Sequence, residues 1–250
     1  MTRSSHHDTH GRDGTGAGYF ERSKEPLASL ALLLPLLVFH ELGVVAQEIR
    51  GEAPVTVEAY RWIELGVSSS GFLLRAAPAI LTLGLLLVLH LARGADWSMP
   101  RFLPGWMFLE SLGWMAPLLI GQAVLGAAVF ASAPAAAASV GGLLNIAIGA
   151  GLYEELLFRL MLVGGLDWLL RRVVGLEGWW PGAIAILVSA TLFALYHDLS
   201  PSQGKDVAGL FVLYAAGGIF FGVLYMTRGF GITAATHAFY DISVLLLTTR

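Results

Sequence analysis

From residue 27 onward the chain is dominated by seven long apolar runs, separated by shorter polar stretches. They cover about 27–46, 71–92, 105–131, 138–170, 180–199, 207–226 and 231–249. Each is close to or longer than the ~20 residues that a helix needs to cross a hydrocarbon layer. The runs are continuous rather than alternating, which argues against strands of a transmembrane barrel. A backbone in lipid must also satisfy its hydrogen bonds within each segment. The pattern therefore predicts an all-α, polytopic transmembrane helical bundle of about seven spans, with six to eight as the range. The fourth run exceeds one straight crossing, so it tilts, kinks near Gly149 or Gly151, or continues past the surface. Residues 1–26 are polar and carry Gly11, Gly14, Gly16 and Gly18, a composition that predicts a flexible tail. The expected division is this tail, N-terminal transmembrane helices over 27–137, and a core over 138–249 that carries the chemistry. The first run, ending in Val44-Val45-Ala46, has the outline of a cleavable signal, but the 26-residue polar leader is against it.

Composition sharpens this reading. Apolar residues make up 56% of the 250 and charged residues only 13%, about half the charge of an average soluble domain. The mean hydropathy of +0.70 fits an integral membrane protein with the bilayer as its surroundings. A net charge of −3 gives no reason to expect nucleic acid as a partner. With no cysteine, disulfides, thiolate metal sites and a thiol nucleophile are excluded. With the N-terminus inside, the inner segments hold Arg3, Arg12, Arg22, Lys24, Arg93, Arg101, Arg171, Arg172 and Arg228, nine cations against four on the other side, Arg50, Arg61, Lys205 and Arg250. That asymmetry predicts a cytoplasmic N-terminus.

Charge at the centre of a bilayer costs at least about 2.5 kcal/mol per residue on insertion scales, so ionisable residues inside apolar spans are functional candidates. They are Glu41, Arg75, Glu110, Glu154, Glu155, Arg159, Asp167 and Asp241, with His40, His90, His197 and His237. Three compact groups stand out. In Glu154-Glu155-Leu156-Leu157-Phe158-Arg159, helical spacing lets Glu155 pair with Arg159. Glu154 points about 100° away, toward a stripe of Gly151, Ala150 and Ala147 where another helix can approach closely. The plainer reading is two acids near a membrane surface with a snorkelling arginine. Phe193-Ala194-Leu195-Tyr196-His197 ends an otherwise uncharged span, where a lone histidine is more often interfacial. His237-Ala238-Phe239-Tyr240-Asp241 places an imidazole and a carboxylate on one helix face, either as a site or as a buried hydrogen-bonded pair that fixes helix rotation.

Other motifs carry less. His40-Glu41-Leu42-Gly43-Val44 starts like the zinc-protease helix, but position 44 lacks the second histidine. Gly66-Val67-Ser68 lies in a polar loop and reads as a turn rather than a serine-protease site. His6, His7 and His10 in the tail read as solvated.

Together the three groups resemble the CPBP family of intramembrane proteases, which includes the type II CAAX prenyl endopeptidases and bacteriocin-immunity membrane proteins. The family pattern EExxxR, FxxxH and HxxxN or HxxxD reads here as Glu154-Glu155-x-x-x-Arg159, Phe193-x-x-x-His197 and His237-x-x-x-Asp241, over roughly residues 138–249. The resemblance implies hydrolysis of a peptide bond of a membrane-associated or lipidated protein. It implies that Glu154 activates water with His197 as its partner, that Glu155 and Arg159 brace the helix, with Phe193 in support, and that His237 and Asp241 position the water or meet the oxyanion.

The chemistry of the side chains is compatible with these roles. Amide hydrolysis needs an activated water, an oxyanion stabiliser and a proton for the leaving amine. An ionised Asp241 would repel an oxyanion, which leaves two arrangements. A protonated Asp241 donates, or Glu154, His197, His237 and Asp241 ligate a divalent metal such as zinc. A proton-coupled transporter and a non-catalytic membrane-protein-binding scaffold are the competing functions; the first predicts paired repeats and interrupted helices, which the sequence lacks. Straight counting puts His197 and His237 toward opposite faces of the membrane. Their meeting at Glu154 requires helices that tilt, shift or break, which Gly217, Gly218, Gly229 and Gly231 would permit.

Overall fold

Nine helices form the described part of the chain, residues 18–66, 76–125, 139–201 and 206–248 of a computed structural model. They are α1 (Tyr19–Arg22), α2 (Pro26–Ile49), α3 (Glu58–Gly66), α4 (Ala77–Arg93), α5 (Leu103–Leu125), α6 (140–174), α7 (Trp180–Tyr196), α8 (Val207–Arg228) and α9 (Phe230–Thr248). Among the described residues there is no strand. The architecture is the expected all-helical one. α2, α5, α8 and α9 are long and apolar enough to cross a membrane, and α4 and α7 are shorter apolar helices of 17 residues each. With α6 they account for the seven apolar runs.

Local signals set the helix ends. Pro26 opens α2, where its missing N–H costs no helical hydrogen bond. The Ser139 and Asp206 side chains cap α6 and α8 by accepting the Gly142 and Gly209 N–H groups at 3.2 and 2.8 Å. Gly94, at φ +58°, ends α4 in the left-handed conformation. Gly229, at φ +84°, turns α8 directly into α9.

α6 is one continuous helical run of mixed type. It is α-helical over Val140–Gly149 and π-helical over Ala150–Glu154 and Leu156–Val163. A further α segment, Gly164–Leu169, precedes a last π turn at Leu170–Val174. The expected irregularity near Gly149 and Gly151 is thus a change of hydrogen-bonding pattern at Ala150. A π turn widens the helix and re-aims its side chains, which is why such turns gather at functional sites.

Large apolar side chains point outward along the helices: Leu34 and Leu42 on α2, Val88 on α4, Leu187 on α7 and Val212 on α8 are all exposed. A water-soluble monomer rarely tolerates apolar patches on this scale, whereas lipid solvates them. Inside, small residues let helices approach closely. A Cβ on Gly218 of α8 would lie 2.7 Å from the Ala190 Cα of α7, and one on Gly222 would lie 2.9 Å from Ile186. α9 is the central helix, with Ile232, Ala234, Ala235 and Ala238 fully enclosed. It packs on α2, α5 and α6.

Two polar stretches differ from expectation. Most of the proposed tail, 1–17, lies outside the described residues, but its end is not a tail. α1 folds onto the bundle because Glu110, an acid on α5, is held there. Tyr19 donates to Glu110 Oε2 at 2.5 Å, and Arg228 from the end of α8 donates to both Glu110 oxygens at 2.5 and 2.8 Å and to Ser23 Oγ at 3.0 Å. Burial, then the hydrogen bond to Glu110, holds the Tyr19 phenol above its ordinary range, so it stays a donor. The polar loop 47–70 contains α3, whose Ala59, Tyr60 and Ile63 are buried. Arg75 and the Val67-Ser68 turn lie outside the described residues.

Candidate active site

The first acidic pair sits where α6 has turned π-helical. Glu155 and Arg159 are wholly enclosed, with Arg159 Nε 3.1 Å from Glu155 Oε2. The guanidinium lies over the Phe193 ring at 4.3 Å and the Phe221 ring at 5.3 Å. An arginine enclosed in this way is held by a carboxylate and by aromatic faces. Glu155 does more than brace its helix. Its Oε1 accepts from His237 Nδ1 of α9 at 2.8 Å, which ties α6 to α9.

Glu154 points elsewhere, as the spacing predicts, and is 2% exposed. The small-residue stripe beside it does admit a neighbouring helix: a Cβ on Gly151 would lie 2.5 Å from the Ala238 nitrogen of α9. Glu154 Oε2 lies 3.9 Å from His197 Nε2, and its Oε1 accepts from the Tyr196 hydroxyl at 3.2 Å. A gap of 3.9 Å is too long for a direct hydrogen bond, but a single water off the axis can touch both groups.

His197 stands just past the last residue of α7. Its Nδ1 is 2.8 Å from the Phe193 carbonyl, one of the orphan acceptors at the helix end. With the proton on Nδ1, the Nε2 lone pair faces Glu154. The ring is stacked on Tyr214 at 4.3 Å and rests against Phe193 at 4.5 Å. Phe193 thus supports Arg159 with its ring and orients His197 with its carbonyl.

The third group lies on the other side of the same cluster. His237 stacks on Phe221 at 4.6 Å, and its Nε2 is 3.7 Å from Asp241 Oδ2. They share a helix face, as expected, but are not hydrogen bonded. His237 Nε2 and both Asp241 oxygens are buried without a hydrogen-bond partner among the described residues. Phe193 links the two sides, with its ring 4.5 Å from the His197 ring and 6.4 Å from the His237 ring. The four groups from α6, α7 and α9 therefore share one enclosed neighbourhood, with His197 its most open member.

The conflict between membrane faces resolves through helix length and stagger. α7 has 17 residues, about 25 Å at 1.5 Å per residue, which is shorter than a hydrocarbon layer of about 30 Å. Phe193, one turn earlier, lies 6.4 Å from the His237 ring. α9 begins at the Gly229 corner with no intervening loop, and its second turn brings His237 beside Phe193.

As the side chains stand, no group of three or more His, Asp or Glu among the described residues is disposed to hold a metal ion. Nδ1 of each histidine is engaged, by Phe193 or by Glu155, which leaves Nε2 as the free nitrogen of each ring. The side chains as they stand do not form the four-ligand zinc arrangement.

Sequence reasoning missed one contributor. Tyr196 was legible only as the neighbour of His197, although a phenol at the end of an apolar helix calls for a hydrogen-bonding partner. Its oxygen also accepts the Ala59 N–H of α3 at 3.0 Å, and Trp62 of α3 packs edge-on against its ring at 5.1 Å. α3 is thus joined to the Glu154 carboxylate through one phenol. His40 and Glu41 lie on the α2 side of a separate cluster. Glu41 accepts from Tyr153 at 2.5 Å, and His40 is enclosed between Tyr60 and Tyr153, in a polar seam between α2 and α6.

Residues 136–243 match the family model for type II CAAX prenyl endopeptidase Rce1-like proteins. The match spans all three motifs and bears out the resemblance drawn from them. No curated protein and no solved structure matches the chain.

Proposed function

We propose that the chain, whose residues 136–243 match the Rce1-like type II CAAX prenyl endopeptidase model, is a membrane-embedded protease that cleaves its substrate with a water activated by Glu154. The substrate class is a membrane-associated or lipidated protein. The observation that supports this reading best is the placement of Glu154 Oε2 opposite His197 Nε2 at 3.9 Å in an enclosed, largely apolar setting.

In this reading a water lies between the two groups. Glu154 takes its proton as the oxygen attacks the scissile carbonyl, and the same proton later goes to the leaving amine. His197, fixed by its Nδ1–H to Phe193, orients the water through Nε2. Tyr196 donates to the other Glu154 oxygen and so fixes which oxygen faces the water. On the α9 side, His237 Nε2 and Asp241 Oδ2 would oppose bare lone pairs unless one of them carries a proton. With a proton there, the pair is a donor aimed where the oxyanion forms. Glu155 and Arg159 hold His237 and α6 in place. We take the basic end of the bundle as cytoplasmic and residues 138–249 as the catalytic core.

The test is cleavage of a lipidated reporter peptide by purified protein in proteoliposomes. Glu154→Gln and His197→Ala are expected to lose at least about 100-fold in rate, the low end for general-base loss, with helical content and elution unchanged. Full activity in either variant overturns the assignment. Dialysis against a strong chelator is expected to leave the wild-type rate unchanged; its loss, with restoration by zinc, would overturn the metal-free mechanism.

A further inference from the structure

A second polar feature lies at the other end of α6 from Glu154. It is a cavity of about 300 Å³ where the start of α2, the end of α4, the lower part of α6 and the α8–α9 corner meet. Its polar wall carries Lys24, Arg93 and Tyr225, with Asp167; Leu86 and Phe230 belong to its apolar wall. We propose that this cavity binds the phosphate headgroup of an anionic phospholipid, with the acyl chains lying along the apolar wall.

The first support is charge. Neither Lys24 nor Arg93 has a carboxylate partner among the described residues. The one acid in the wall, Asp167, is already held by Arg171, whose Nε lies 3.0 Å from each of its oxygens. The cavity therefore presents two uncompensated cations. Arg93 is also oriented, since its Nη1 donates to the Lys24 carbonyl at 3.4 Å.

The second support is depth. α2 begins at Pro26, α4 ends at Arg93, and α8 turns into α9 at Gly229. Helix ends on one side of a transmembrane bundle mark the boundary between hydrocarbon and water, which is where lipid phosphates lie. The polar wall is at that boundary, and Leu86 lies two turns into α4, on the hydrocarbon side. A soluble anion would use the cations but leave the apolar wall uncovered, whereas a phospholipid matches both. Basic pockets between helices are known sites for acidic headgroups. The construction is also space-specific. A Cβ on Gly164 would lie 2.7 Å from the Tyr225 hydroxyl, so glycine there leaves room for the phenol.

The test is native mass spectrometry of the full chain released from nanodiscs of phosphatidylglycerol and phosphatidylcholine mixed equally. The wild type is expected to retain one phosphatidylglycerol in preference to phosphatidylcholine. Two cations near a headgroup give a preference of about 30-fold. The double variant Lys24→Gln/Arg93→Gln is expected to lose it, and Arg50→Gln, in an exposed pair with Glu52 beyond the far end of α2, is expected to keep it. Absence of a preference in the wild type overturns the proposal, and that arm does not depend on any variant folding. Retention by a folded double variant overturns it as well. So does displacement by glycerol phosphate at the lipid's own concentration, since the site would then be one for a soluble anion. None of these readouts depends on proteolysis, so the protease reading and this one fail separately.

Discussion

Tyr196 shows how much a single hydroxyl can set. It donates to Glu154 and accepts from the backbone of α3, so both of its hydrogen-bonding capacities are used. A hydrogen bond to an ionised group is worth about 1.5–3 kcal/mol. Tyr196→Phe is therefore expected to lower kcat about tenfold or more with KM little changed, because the carboxylate is still present but free to rotate. Steady-state kinetics on the reporter peptide checks this; an unchanged kcat would remove Tyr196 from the mechanism. Glu155 and Arg159 are coupled more tightly. Removing either leaves a buried charge alone, at a cost of about 3–5 kcal/mol. Each alanine variant should lower thermal stability in detergent, and the double variant should be no worse than the more damaging single one. Additive losses would show that the two side chains act independently.

At the scale of elements, contact between α6 and α9 depends on Gly151. A β-carbon there meets backbone atoms of α9 at 2.5 and 2.6 Å, and backbone cannot swing aside as a side chain can. Gly151→Ala is expected to cost about 1–3 kcal/mol. It should also reduce hydrolysis, because it moves the carboxylates of α6 away from His237 and Asp241. Melting curves and cleavage rates measured together check this; a fully active, fully stable variant would show that the helices are not held this closely. The π-helical register of α6 matters for the same reason. It decides how Glu154 and Glu155 are shared out, one facing α7 and the other α9.

For the molecule as a whole, the Glu110–Arg228–Tyr19 cluster clasps α1, α5 and α8 at the end where Lys24 and Arg93 also lie. Arg228 is 5% exposed and its guanidinium is over the Phe20 ring at 4.4 Å. Arg228→Ala leaves the half-buried Glu110 without its cation and is expected to cost about 1.5–3 kcal/mol, whereas Tyr19→Phe should cost about 1 kcal/mol. Thermal unfolding of the two purified variants tests that ranking; a reversal would mean that the phenol, rather than the ion pair, holds the clasp.

The sequence by itself determined the membrane-spanning helices, because lipid demands long apolar runs and their lengths are local quantities. It also determined the Glu155–Arg159 pair and the shared face of His237 and Asp241, because residues four apart on one helix are neighbours however that helix packs. It marked Gly151 as a place of close approach, since the lack of a side chain is legible anywhere. Packing between helices is what makes His237 bond to Glu155, Tyr196 serve Glu154, α3 reach Tyr196, and Glu110 find Arg228 more than a hundred residues away. Those contacts join separate helices. They depend on the rotation, stagger and π turns of each, and these arise from packing against neighbours, which no local periodicity records.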